Sequence, residues 1–184
     1  MEYISIPISL VSLAVSLGTF WIAFIHRGQL KMTMPTIVFF GYDMIPHATP
    51  KVFLRTLLYS TATRGHVIEG MFIEVSRDSE RSQVFSFWGY GEGEKLTAGS
   101  GLHVGRTGIA ANHHFVLSIH EDDYRFEAGE YDIIVLASVV GRKNAVQLAT
   151  IRLTLGRDLA GAIARYEGVL FERNPSGEYV GHIR

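Results

Sequence analysis

The chain has 184 residues, with 17 Lys and Arg against 18 Asp and Glu, and no cysteine. That length holds one ordinary domain beside a terminal segment. A net charge of −1 gives no electrostatic footprint for nucleic acid, so no nucleic-acid partner is expected, and the lack of cysteine excludes disulfides and thiolate sites.

Residues 3–25 contain no Asp, Glu, Lys, Arg, His, Asn or Gln. As a helix they would span about 35 Å, enough for a hydrocarbon core of about 30 Å. Residues 1–27 are therefore read as a single-pass transmembrane anchor of signal-anchor type, with the lipid bilayer as partner of residues 3–25. A cleaved signal peptide competes, but it needs a basic leading flank, and here that flank carries Glu2. Arg27 and Lys31 follow the apolar run, which places the remaining chain on the cytoplasmic side of the plasma membrane. Ser5, Ser9, Ser12, Ser16 and Thr19 recur at spacings that keep them on one helix face. Small residues allow close approach, so this face is expected to pack on another transmembrane helix or on a second copy in a homo-oligomer. The competing reading satisfies each hydroxyl with its own i−4 carbonyl.

A linker at 28–35 leads into extended segments at 36–41, 51–60, 67–76, 83–90, 112–119, 130–140 and 145–155, with at most one short strand, near 101–105, in the glycine-rich stretch 91–108. Such short strands at regular spacing predict an antiparallel β-sandwich over residues 36–156. In the last strand Val146 and Leu148 share one parity and Ile151, Leu153 and Leu155 the other, which predicts a bulge near Ala149 and Thr150. Residues 157–166 read as a short helix with Leu159, Ala162, Ile163 and Tyr166 on one side. Asn174-Pro175-Ser176-Gly177 reads as the turn of a terminal hairpin, so that 157–184 forms a helix and hairpin packed on the sandwich.

Phe126-Glu127-Ala128-Gly129-Glu130-Tyr131 precedes a strand in which Tyr131, Ile133, Val135, Ala137 and Val139 alternate. This resembles the tyrosine corner of immunoglobulin-like domains, without their cysteine pair, and implies an immunoglobulin-like or fibronectin-like sandwich. The layout of anchor, sandwich, Trp88, Asn112-His113-His114 and terminal His182-Ile183-Arg184 also resembles a group of bacterial membrane-anchored proteins without an established activity. That resemblance implies a bacterial inner membrane and no mechanism.

Several strands are apolar on both parities. Ile134, Leu136 and Val140 form a second apolar side of the 130–140 strand, which needs a cover: the chain's own tail, or a protein partner. Trp88 and Tyr90 sit among glycines, where aromatics and close backbone approach suit a binding surface; the competing reading buries Trp88 in the core. His113 and His114, as neighbours on a strand, point to opposite faces and do not chelate together. Asn112 is read as a residue of the turn into that strand. The expected function is a membrane-tethered binding or scaffolding module without catalysis or cofactor, its protein partner unspecified. Its surface candidates are Trp88, Tyr90, His113, His114, Ile134, Leu136 and Val140. The alternative is a small metal-dependent enzyme or sensor that uses histidines and carboxylates of residues 103–123: His103, one of the histidine pair, and Asp122 or Asp123.

Overall fold

The computed structural model describes residues 5–21, 28–44, 47–92, 95–99, 101–118 and 124–184. Helix α1 (Ser5–Phe20) leads to β1 (Leu30–Met32), β2 (Ile37–Asp43), β3 (Thr49–Ser60), β4 (His66–Arg77) and β5 (Gln83–Glu92). Next come β6 (Lys95–Ala98), β7 (Leu102–Val104), β8 (Ile109–Leu117), β9 (Gly129–Val139) and β10 (Val146–Leu155). Helix α2 (Arg157–Ala164), β11 (Val169–Arg173) and β12 (Tyr179–Ile183) complete the chain.

The expected transmembrane helix is corrected. Helix α1 has 16 residues, about 24 Å of rise, short of the hydrocarbon core of about 30 Å. Among the described residues no helix is long and apolar enough to cross a membrane, which overturns the membrane, single-pass and signal-anchor readings. Residues 1–4 and 22–27, including Arg27, lie outside the described residues.

The strands form one 12-stranded sheet in the order β10-β9-β4-β5-β8-β3-β2-β11-β12, with every pairing antiparallel. The remaining three strands extend edges. β1 lies on β3 beyond the reach of β2, β6 lies on β5 beyond β4, and β7 lies on β4 beyond β5. Strands β4 and β5 pair only at Phe72–Val75 with Gln83–Ser86 and then part company. The two ends of the order, β10 and β12, approach each other, so the curled sheet is nearly barrel-shaped while remaining compatible with a β-sandwich. The segment read as a linker carries β1, and the glycine-rich stretch carries two short strands, β6 and β7.

Alternation fixes which side is the core. In β9, Tyr131, Ile133, Val135, Ala137 and Val139 are all buried, and in β3 so are Val52, Leu54, Thr56, Leu58 and Ser60. The bulge in β10 falls between Gln147 and Ala149, where it brings Ile151, Leu153 and Leu155 back to the core side. Phe40 is the aromatic hub. Its ring stacks on Phe126 at 4.7 Å and meets the edges of Tyr131 at 5.2 Å and Phe171 at 5.3 Å. The Tyr131 hydroxyl donates to the Glu127 carbonyl at 2.7 Å, the local bond expected of a tyrosine corner. Arg77 clamps the same corner by pairing with Glu127 and Glu80.

The tail joins the sheet edge-on. β11 pairs with β2 and β12 with β11, so Val169 and Phe171 enter the core. Helix α2 packs against β2, β11 and β12 and buries Ala162 and Ile163. Its apolar side is shorter than expected, because the chain leaves the helix at Tyr166, which has a positive φ and is exposed.

Candidate functional site

Strand β8 lies between β5 and β3, and its register places the site. Phe53 of β3 faces His114 of β8, which faces Gly89 of β5; Leu54 faces His113, which faces Tyr90. His113 and Tyr90 therefore point to the core side, and His114 to the outer side. One structural bulge sets this geometry. Phe87 and Gly89 oppose consecutive residues of β8, so Trp88 is an extra residue that the ladder leaves unpaired. Before the bulge, Phe85 and Phe87 point inward; after it, Tyr90 does. Trp88 projects outward and is 41% exposed, which corrects the core placement.

On the outer side Trp88 has defined company. The Lys51 ammonium sits 5.5 Å from the centre of its ring and 3.1 Å from an Asp43 carboxylate oxygen. The cation is thus held between an aromatic face and a counter-charge. Phe39 and Phe53 stack at 4.8 Å, and Phe53 lies 5.2 Å from the His114 ring. Residues directly opposite one another share a face, so the row Leu136–Phe72–Ser86–Val116–Lys51 runs across β9, β4, β5, β8 and β3 on this same outer side. Ile134 and Val84 lie in the next row, through Glu74. Val84 is exposed, whereas Ile134, Leu136, Phe72 and Val116 are half-buried. The outer side therefore carries a broad apolar band, with Trp88 and the Lys51–Asp43 pair at one end.

Of the sequence-derived surface candidates, Trp88, Ile134 and Leu136 lie on this band, and His114 points to the same side but is buried beside Phe53. Tyr90 and His113 lie behind it. Val140 is exposed past the end of β9, where its amide donates to the Val67 carbonyl. The tail does not cover the band, since α2 contacts β2, β11 and β12. Lys51, Asp43, Phe53, Phe72, Val84 and Val116 were not singled out from the sequence. The signal for them was parity: residues 51 and 53 alternate against a buried set at 52, 54, 56 and 58. Asn112 is a mid-strand residue whose side-chain oxygen accepts from Arg55 at 3.5 Å, rather than a turn residue.

The two histidines are unusual. His113 is 1% exposed and His114 7% exposed. Neither ring nitrogen of His113 has a hydrogen-bond partner, nor does Nδ1 of His114. Burial, aided by the neighbouring His114, pulls the pKa of His113 down to about 4. Burial and the Lys51 charge, partly opposed by Asp43, pull His114 down to about 4 as well. Both rings are neutral at pH 7.

The metal alternative finds no assembled ligand set. His103 lies on β7 opposite Val67, with its Nε2 3.3 Å from the Arg64 carbonyl oxygen. Among the described residues no group of three His, Asp or Glu is placed to hold a metal ion. His120, Glu121, Asp122 and Asp123 lie outside the described residues.

On helix α1 the hydroxyls of Ser12, Ser16 and Thr19 donate to the carbonyls of Ile8, Ser12 and Val15. The small-residue face is therefore satisfied within its own helix and offers close approach rather than hydrogen bonds.

Comparison with protein-family models, with curated proteins and with solved structures found no match. The fold and the site define an antiparallel β protein whose outer face carries half-buried to exposed apolar residues that α2 does not contact, and the functional reading rests on that geometry.

Proposed function

We propose that this chain is a non-catalytic protein-binding or scaffolding module whose docking face is the outer side of β9, β4, β5, β8 and β3. The observation that carries this reading is Trp88, pushed out of the ladder by a bulge at the end of an apolar band that the chain's own tail leaves uncovered. Exposed apolar patches with an aromatic anchor and a charged rim suit protein partners, and a Trp held by Lys51 and Asp43 enters a contact with little ordering left to do. The immunoglobulin-like kinship belongs to the same proposal and is supported by the Tyr131 corner.

Tagged full-length chain, used as bait against an extract, tests the docking face. Trp88→Ala and Leu136→Glu are each expected to lose the proteins that wild type recovers, whereas Arg152→Ala, on an exposed part of β10, retains them. Identical recovery by all three variants removes the outer face from consideration.

We also propose that α1 mediates self-association. Ile8, Leu10, Val11, Leu13, Val15 and Leu17 are each more than half exposed, so apolar side chains point outward all round the helix. Ser9→Leu, Ser12→Leu and Ser16→Leu together are expected to lower the oligomer mass measured by light scattering of the purified full chain. A mass unchanged from wild type would eliminate the small-residue face as the contact.

A further inference from the structure

We propose that residues 89–92 of β5, together with β6, form a segment that lifts away from β8 in mild acid, with His113 as the group that takes up the proton. The inference concerns the core side of β8 and is independent of what docks on the outer face.

His113 sits where a proton has no place to go. A neutral imidazole carries one donor and one acceptor, and in this ring both are buried and unpartnered. Across the ladder it meets Leu54 on β3 and Tyr90 on β5, and the Phe87 ring lies 6.3 Å away. Among these neighbours Tyr90 is the titratable group facing it from β5, and β3 presents Leu54. Along its own strand stands His114, whose ring faces Lys51 and Asp43 from the other side of the sheet. The field of His114 further disfavours a charge on His113. A protonated His113 is therefore stabilised only by an opening that admits water.

The fold marks where that opening is least costly. Up to Ser86, β5 is held by β4 on one side and β8 on the other. Beyond the Trp88 bulge β4 has departed, and the edge it leaves is taken by β6, four residues that are all exposed. Gly89 and Gly91 give this segment no side chains, because added Cβ atoms would collide with the Thr97 and Lys95 carbonyl oxygens of β6. Among the described residues its hold on the core is Tyr90 and three register pairs to β8: Gly89 with His114, Tyr90 with His113 and Gly91 with Asn112. Segments with few buried apolar contacts open below the free energy of global unfolding. Lifting this one uncovers the ring that needs solvent.

A ring that titrates near 6.5 when open and about 4 when closed raises the opening constant about 20-fold between pH 7 and pH 5. Backbone amide exchange of the full chain, corrected for intrinsic rates, reads this directly. The expected result is about 20-fold faster opening of residues 87–92, 95–98 and the facing part of β8, at a free energy below that of the global unfolding through which β9 and β10 exchange, and a flat response of this local opening in His113→Leu. Three results overturn the proposal: no change down to pH 5, opening of residues 87–92 and 95–98 only together with β9 and β10 in one global event, or the same local change in His113→Leu. Should His113→Leu fail to fold, the His113 ring in wild type is followed by NMR. Titration below pH 5 supports the proposal, and titration near 6.5 overturns it.

Discussion

Phe40→Ala is expected to lower the unfolding free energy by about 3–5 kcal/mol, the range for truncating a fully buried phenylalanine in a core that closes only partly around the gap. The site offers little room for collapse. The Phe40 ring is in contact with rings from three other parts of the chain, Phe126 before β9, Tyr131 in β9 and Phe171 in β11, and none of its surface is exposed. Its removal unsupports the junction where the tail strands meet the middle of the sheet. Denaturant titration followed by circular dichroism measures the change. A loss below about 1 kcal/mol would mean that these rings repack freely and that the aromatic hub is not the keystone described.

Acid is expected to destabilise the fold well above the pH at which carboxylates titrate. His113 and His114 have pKa values lowered to about 4 in the folded chain, against 6.5 when the chain is unfolded. Below pH 6.5 the unfolded chain binds protons that the folded chain refuses. Their contribution to stability is therefore complete above pH 6.5 and is lost progressively as the pH falls to about 4. Each ring is expected to remove about 2 kcal/mol between pH 7 and pH 5, although like charges on adjacent residues make the two losses interdependent. Urea midpoints taken across that range test this, with His113→Leu and His114→Phe combined as the reference. A slope that survives in the double variant would place the acid response elsewhere.

Much of the sheet was legible because one side of it is buried. The parity of Ile133, Val135, Ala137 and Val139 identifies the core side of β9, and the phase change after Leu148 locates the bulge in β10 to within two residues. Residues 157–184 were also readable as helix and hairpin, because Pro175 and Gly177 dictate the turn. What was not readable is pairing between distant segments. Nothing local in Ile37–Asp43 says that its second neighbour is Val169–Arg173, and a chain expected to form two facing sheets forms one curled sheet. β1 and β6 escaped because three or four residues on an edge leave no period to count. The apolar run at the N-terminus records a preference for a non-aqueous surround. It does not record helix length, and α1 is too short for the span assigned to it.

The outer-face site was half visible. Val84, Ser86 and Trp88 alternate against Phe85 and Phe87, so parity agrees with Trp88 as a surface candidate, and the competing core reading rested on the frequent burial of tryptophan. The bulge, by contrast, follows from what β8 presents across the ladder, and no pattern within residues 83–92 announces it. The burial of both His113 and His114 was equally hidden. Adjacent strand residues are buried together only where both sides of the sheet are covered, and here Phe53 covers His114 while the core covers His113.

The pairing of β2 with β11 also has a consequence for biosynthesis. β2 leaves the ribosome early, and the strand that protects its edge is translated well over a hundred residues later. Throughout that interval Ile37, Val38, Phe39 and Phe40 stand beside an open row of backbone donors and acceptors, in the arrangement that nucleates pairing between nascent chains. Newly made protein should therefore depend on chaperones in proportion to the delay, and slowing translation of α2 and β11 should lower soluble yield more than the same pause placed before β9.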